Sequence, residues 1–181
     1  VSGLTEDVRG ANVNASGVAA LLQLAARFSS QPLLDADVCL VAAGSNESWM
    51  SGVRHFLDTQ PLDKKHTFLL NIEGVGAPEL CYLTREGMLQ SLRAGRAWCE
   101  AAAVEAKPAG VRPARMHAVP TGAHIPLMRG YQAMTVTALG ENGAPPHWNW
   151  FTDQVMVVDE GAIARAAGFI ESLTRRMAAT A

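Results

Sequence analysis

The sequence predicts an α/β fold of three layers, a mixed and mostly parallel sheet flanked by helices, forming a single domain over residues 1–181. Three observations predict it. Compact apolar runs bounded by polar or turn residues recur, notably 37–43, 66–72 and 133–138, and such runs suit strands buried on both faces. Segments with three- and four-residue apolar spacing alternate with them, which is the pattern of helices packed on a sheet. No linker is long enough to divide the chain, and no internal repeat or low-complexity segment interrupts it.

The elements follow in order. Val1 to Asp7 reads as the tail of a strand. Gly10, Asn12, Asn14 and Ser16 favour tight turns and helix capping. A helix follows over 16–28, with Val18, Leu21, Leu22, Ala25 and Phe28 as its apolar stripe. This junction of a polar loop with a helix N-terminus presents unpaired backbone N–H groups and a positive dipole end. Residues 37–43 are expected as a buried strand, and Ser51 to Asp58 as a short helix turned inward on Val53, Phe56 and Leu57. Further strands are expected at 66–72, 80–83, 115–119 and 133–138, and a helix at 89–106, with Pro108 to Pro113 breaking the pattern. A last helix over 160–177 carries Ile163, Ala167, Ile170, Leu173 and Met177 on one face.

Bulk properties narrow the function. Fifteen basic residues against seventeen acidic give a net charge of −2 without a basic run, so nucleic acid and anionic membrane surfaces find no support. No apolar stretch reaches the roughly 18 residues that span a bilayer, and no signal-peptide pattern opens the chain. The composition is that of a soluble globular protein, with localisation otherwise unspecified. Cys39, Cys81 and Cys99 lack metal-type spacing and read as buried free thiols.

Ligands in open α/β sheets collect beyond the carboxyl ends of strands. Three such ends carry polar residues: 44–52 with Asn46 and Glu47, 73–76 with Glu73, and the loop holding His147, Trp148, Asn149 and Trp150. Two carboxylates and a histidine at neighbouring strand ends are zinc-ligand chemistry, although solvated loop side chains give the same pattern. Trp49, Trp148 and Trp150 suit either a ligand pocket or packing over the site. Asp153 and Asp159 read as capping or positioning the last helix.

The segment Gly10-Ala11-Asn12-Val13-Asn14-Ala15-Ser16-Gly17 resembles the Gly-Ala-Asn-Asp-Asn-Ala-Ser-Gly segment of metallopeptidase family 28, the di-zinc aminopeptidases and their relatives. The resemblance extends from residue 10 to about residue 178. It implies that family's fold and, position by position, its zinc site. The bridging aspartate corresponds to Val13, which cannot ligate a metal. Gly44 to Leu57 is similar to the family's Gly-Ala-Glu-Glu segment, whose first glutamate is the general base and whose second binds zinc. Here those places hold Asn46 and Glu47, and an amide has no basic lone pair at neutral pH. Glu73 takes the place of the acid that binds the other zinc. The last histidine lies four residues before an aspartate. Counting back from Asp153 gives Asn149, so either His147 is a displaced ligand or the ligand is lost. The first His-x-Asp pair falls on Ser2 to Asp7, where Gly3 and Thr5 are the counterparts.

The expectation is therefore a domain of this family with most zinc ligands and the general base lost, serving as a non-catalytic binding or structural module. No cofactor is expected, and zinc is the one implied if any is bound. The alternative is a zinc-dependent aminopeptidase or hydrolase with a residual metal held by Glu47, Glu73 and His147. The resemblance also implies strands preceding Val1, so the 181 residues are expected either to belong to a longer protein or to lack the first strands and expose a sheet edge open to a partner protein or to self-association.

Overall fold

The computed structural model describes residues 8–117 and 119–179. The expected strand tail at Val1 to Asp7, and with it Gly3 and Thr5, lies outside the described residues. In chain order the elements are α1 (Gly17–Ser30), α2 (Ser51–Thr59), β1 (Phe68–Ile72), β2 (Leu80–Glu86), β3 (Leu92–Arg93), α3 (Arg96–Ala109), β4 (Arg112–Met116), α4 (His124–Met128), β5 (Gln132–Ala138) and α5 (Glu160–Ala178).

The sheet is mixed. β1 pairs with β5 in parallel, Leu70 opposite Met134. β5 pairs with β2 antiparallel, Cys81 opposite Thr137. β4 runs parallel to β2 along Cys81 to Glu86, with a register shift between Leu83 and Arg85, while β3 pairs antiparallel with Arg85 and Glu86 alone. The two longer ladders are the parallel ones.

The main core joins α1, α3 and α5 to one face of the sheet. Ala20, Leu24, Tyr82, Trp98, Ala102, Met134, Val136, Phe169, Ile170 and Leu173 meet there. The edge-on contact of Phe68 with Trp98, at a centroid distance of 6.0 Å, adds directional packing. Each fully buried aliphatic contributes about 1.5–3 kcal/mol. The predicted face of α5 is the buried one, and Asp159 caps the helix by accepting the Ala162 N–H at 3.1 Å. A smaller cluster of Met50, Leu57, Ile125 and Tyr131, with Val53, Phe56 and Leu69 against it, seats α2 and α4 on the opposite face.

Several expectations are corrected. Residues 37–43 form no strand. They run without a ladder and mostly exposed, since no described segment lies alongside to take their hydrogen bonds, and Cys39 is exposed with them. α1 turns a different stripe inward: Gly17, Ala20, Leu24 and Phe28 are buried, while Val18 and Leu22 are 46% and 67% exposed. This rotation brings Gly17 so close to β1 that a Cβ there would stand 2.6 Å from the Ile72 carbonyl oxygen. α3 begins at Arg96 rather than residue 89, because the preceding residues pair with β2 and Gly95 is extended. It runs through Pro108 to a left-handed Gly110. β4 lies three residues before its expected place and includes Pro113, which an edge strand tolerates.

Candidate functional site

The polar junction before α1 ties the ends of several strands together. Gly10 is left-handed (φ 66), and a wide turn over 11–16 leads into α1, with a cis Val13–Asn14 peptide. Asn12 is 1% exposed. Its Oδ1 accepts the Gly76 N–H at 2.9 Å, and its Nδ2 donates to the Pro146 carbonyl at 2.9 Å. Ser16 Oγ accepts the Val75 N–H at 3.0 Å. Asn14 accepts the Gly74 N–H and donates to the Ile72 carbonyl, each at 3.4 Å. Asp153, fully buried, accepts the Asn12 N–H at 2.6 Å and the Val13 N–H at 3.0 Å. Asp153 thus positions this loop, whereas only Asp159 caps α5.

The loop after β1, the junction and the 146–153 loop therefore converge, while the third expected strand end, 44–52, follows no strand. Val13 sits in the middle, half-buried. Its Cγ2 stands 3.3 Å from where a Gly74 Cβ would be, a space also bordered by Pro145 and Thr137. Glu73 follows β1 directly and is 8% exposed. Burial pushes its carboxyl up to about 7; the Asn71 hydrogen bond opposes that, Glu86 adds to it, the Gly122 N–H opposes it and the charge of Glu47 adds to it. The Asn71 Nδ2 donates to Glu73 Oε2 at 3.0 Å.

Behind Glu73 lies a polar cluster that sequence reasoning missed. Glu86 is 2% exposed, at the end of β2. Both its carboxylate oxygens accept from Thr121 Oγ1 at 2.8 Å, and Oε2 accepts from Thr135 Oγ1 at 3.0 Å. Thr121 and Thr135 lie 2.6 Å apart through their hydroxyls, and Asn71 reaches Thr135 at 3.4 Å. Burial holds the Glu86 carboxyl above its usual range against those hydroxyl bonds. No sequence pattern marks it, since Glu86 lies three residues beyond the expected strand of 80–83, which the structure extends to Glu86.

The remaining candidates are more open. Glu47 and Asn46 are exposed, in a turn where Ser45, Trp49 and Met50 have positive φ and the Asn46 carbonyl accepts the Met50 N–H at 2.9 Å. His147 is exposed, left-handed (φ 63), and its Nδ1 lies 2.7 Å from Thr152 Oγ1. Asn149 is also left-handed (φ 56), and its Oδ1 is buried without a hydrogen-bond partner among the described residues. A cavity of about 370 Å³ opens beside them, lined by Pro145, His147, Trp148, Trp150 and Thr152 together with Asn142 and Ala144. Trp49 and Trp150 are 77% and 62% exposed. Among the described residues, no three His, Cys, Asp or Glu side chains come together as a metal-ligand group.

Comparisons with known proteins agree with this architecture. No curated protein matches the chain. Among solved structures, BSAP, a zinc aminopeptidase from Bacillus subtilis, superposes with a TM-score of 0.75 at 18% identity, covering 95% of this chain and 43% of that one. An aminopeptidase from Aneurinibacillus sp. strain AM-1 gives 0.70 at 16% identity, covering 95% and 40%. A Bacteroides thetaiotaomicron glutaminyl cyclase bound to N-acetylhistamine gives 0.64 at 17%, covering 93% and 63%. The likeness at these identities is one of fold, and the chain spans about two-fifths of the length of the two aminopeptidases. The sequence itself matches the family described as peptidase family M28 over residues 2–173, and the chain belongs to that family.

Proposed function

We propose that this chain is a non-catalytic member of peptidase family M28, a binding or structural domain built on the aminopeptidase fold. The observation that carries the reading is Val13. It stands among the converged loops with its Cγ2 beside Gly74, at the position that the resemblance assigns to the zinc-bridging carboxylate.

The donor set does not fit a catalytic zinc. Such a site uses about three protein ligands and leaves a position for water. Among the described residues Glu47, Glu73 and His147 do not gather as a ligand group, Glu47 and His147 are exposed, and Val13 offers no donor between them. Asn46 supplies no general base. Loss of a general base alone typically lowers rate by about 10²–10⁴-fold.

Two features suit a binding role. The tryptophan-lined cavity offers an apolar wall with a polar rim. The free edge of β1 offers a strand partner. The Glu73 N–H donates to Val136 on β5, so Phe68, Leu70 and Ile72 turn their backbone groups the other way. On that side no ladder forms among the described residues, and the Ile72 carbonyl takes the Asn14 amide. The edge strand carries neither charge nor proline to discourage pairing.

One observation favours the rival reading of a residual metal held by Glu47, Glu73 and His147 in a hydrolase: the charge of Glu47 reaches buried Glu73. Turnover of aminoacyl-anilide substrates, measured with and without added zinc or cobalt, separates the two. The proposal expects none above background. Metal-dependent turnover that disappears in Glu47→Ala establishes the hydrolase. Sedimentation velocity across concentrations tests the edge, with self-association expected and a monomer throughout counting against it.

A further inference from the structure

At the end of β2, on the face away from Glu86, the sheet carries an unexplained row of charge. Arg85 on β2 is the register partner of Arg93 on β3 and of Arg115 on β4. β3 and β4 flank β2 on opposite sides there, so three arginines stand in line across three strands. Register partners share a face, with Cα atoms roughly 5 Å apart. Arg85 is half-buried, while Arg93 and Arg115 are exposed.

None of the three has a carboxylate partner among the described residues. The ion pairs of neighbouring cations are made elsewhere: Arg96 with Glu100 at 2.7 Å, and Arg112 with Glu79 at 3.8 Å. Glu86 follows Arg85 immediately and so points to the other face, where Thr121 and Thr135 hold it. Like charges directly opposite on a sheet repel. In a chain of net charge −2 there is no general excess of cations to account for three in one row. The local backbone is specialised as well. The register shift between Leu83 and Arg85 aligns Arg85 with Arg115, and the Thr84 carbonyl accepts the Ala94 N–H at 3.1 Å, which fixes β3 beside β2.

We propose that Arg85, Arg93 and Arg115 form a binding site for a phosphate-type oxyanion. A guanidinium presents paired N–H donors that match the oxygens of such an anion. A tetrahedral dianion can engage more than one of them and relieve the repulsion along the row. Arg85, the half-buried central member of the row, is the more constrained, and the two exposed side chains close over the anion from either side.

The test is thermal unfolding and titration calorimetry of the full chain with inorganic phosphate, with pyrophosphate, and with sodium chloride at matched ionic strength. Phosphate and pyrophosphate are expected to raise the midpoint more than chloride does. In the double variant Arg93→Gln with Arg115→Gln, both at exposed positions, affinity is expected to fall by roughly tenfold or more. Without anion, that variant should melt no lower than the parent, because like-charge repulsion is removed. Arg96→Gln, in which the altered arginine is already paired, should bind as the parent does. Equal shifts from phosphate and chloride overturn the proposal, as does a phosphate shift that survives in the double variant. A polyglutamate peptide that binds through the row while phosphate does not would overturn it in favour of a carboxylate-bearing segment.

Discussion

Replacing Glu73 with glutamine isolates the energetic consequence of burying a carboxyl in the converged loops. The group is 8% exposed, and its carboxyl is pushed up to about 7 from an ordinary value of 4.5, with burial as the largest cause. Raising the pKa of an acid in the folded state means that the native protein binds the proton more tightly than the unfolded chain does. Stability from this group is therefore fully present below pH 4.5 and falls as the pH rises towards about 7. At about 1.4 kcal/mol per pH unit, the gap corresponds to a loss of roughly 3 kcal/mol between pH 4.5 and 8. Glu73→Gln retains the shape and an acceptor for Asn71 but cannot ionise. Urea unfolding at steps from pH 4.5 to 8 should show the parent weakening relative to the variant by most of that amount. The slope remaining in the variant belongs to other groups, Glu86 among them, whose raised pKa acts in the same direction. Parallel pH profiles for parent and variant would refute the reasoning, because Glu73 would then ionise as readily folded as unfolded.

Two further outcomes follow from the same geometry. Asp153→Asn replaces an acceptor-only group that holds the Asn12 and Val13 N–H groups, and an unmet buried donor costs about 1–3 kcal/mol, read as a lower urea midpoint. Val13→Asp combined with Asn46→Glu adds two carboxylates to Glu47 and Glu73, so the double variant should melt below the parent in chelator and be stabilised by zinc more than the parent is. A zinc shift no larger than the parent's would mean that these positions do not surround a common point.

The fold was legible where burial and periodicity coincide. β5 is paired on both edges and β1 has apolar packing on both faces, so an apolar run identifies them, and α5 buries a single apolar stripe. Residues 37–43 are as apolar as β1 and yet make no ladder, because a strand is defined by its neighbour and composition does not name the neighbour. The rotation of α1 was illegible for a similar reason. Its apolar residues occupy more than one face, and the buried one is the face that brings Gly17 close to the Ile72 carbonyl. α4 spans only His124–Met128 and includes Pro126, too short for any period to show.

The candidate site was legible as a set of loops and less so as a set of contacts. Of the expected strand ends, 73–76 and the 146–153 loop meet the junction that holds Val13, whereas 44–52 follows no strand because 37–43 makes no ladder. Two residues did more than the sequence assigned them. Asp153 reads as a helix-positioning residue and instead holds two backbone N–H groups of the junction. Glu86 lies 13 residues beyond Glu73 in the chain and is joined to it only through Asn71 and Thr135, a link created by the pairing of β1 with β5. Such long-range polar links have no local pattern to betray them.

The central claim is that the converged loops no longer serve a zinc centre. Elemental analysis tests it most directly, on protein expressed with zinc in the medium and purified without chelator. The proposal predicts zinc well below one ion per chain after extensive dialysis, because Val13 offers no donor and no three candidate ligands gather among the described residues. One or more tightly held zinc ions per chain would contradict it.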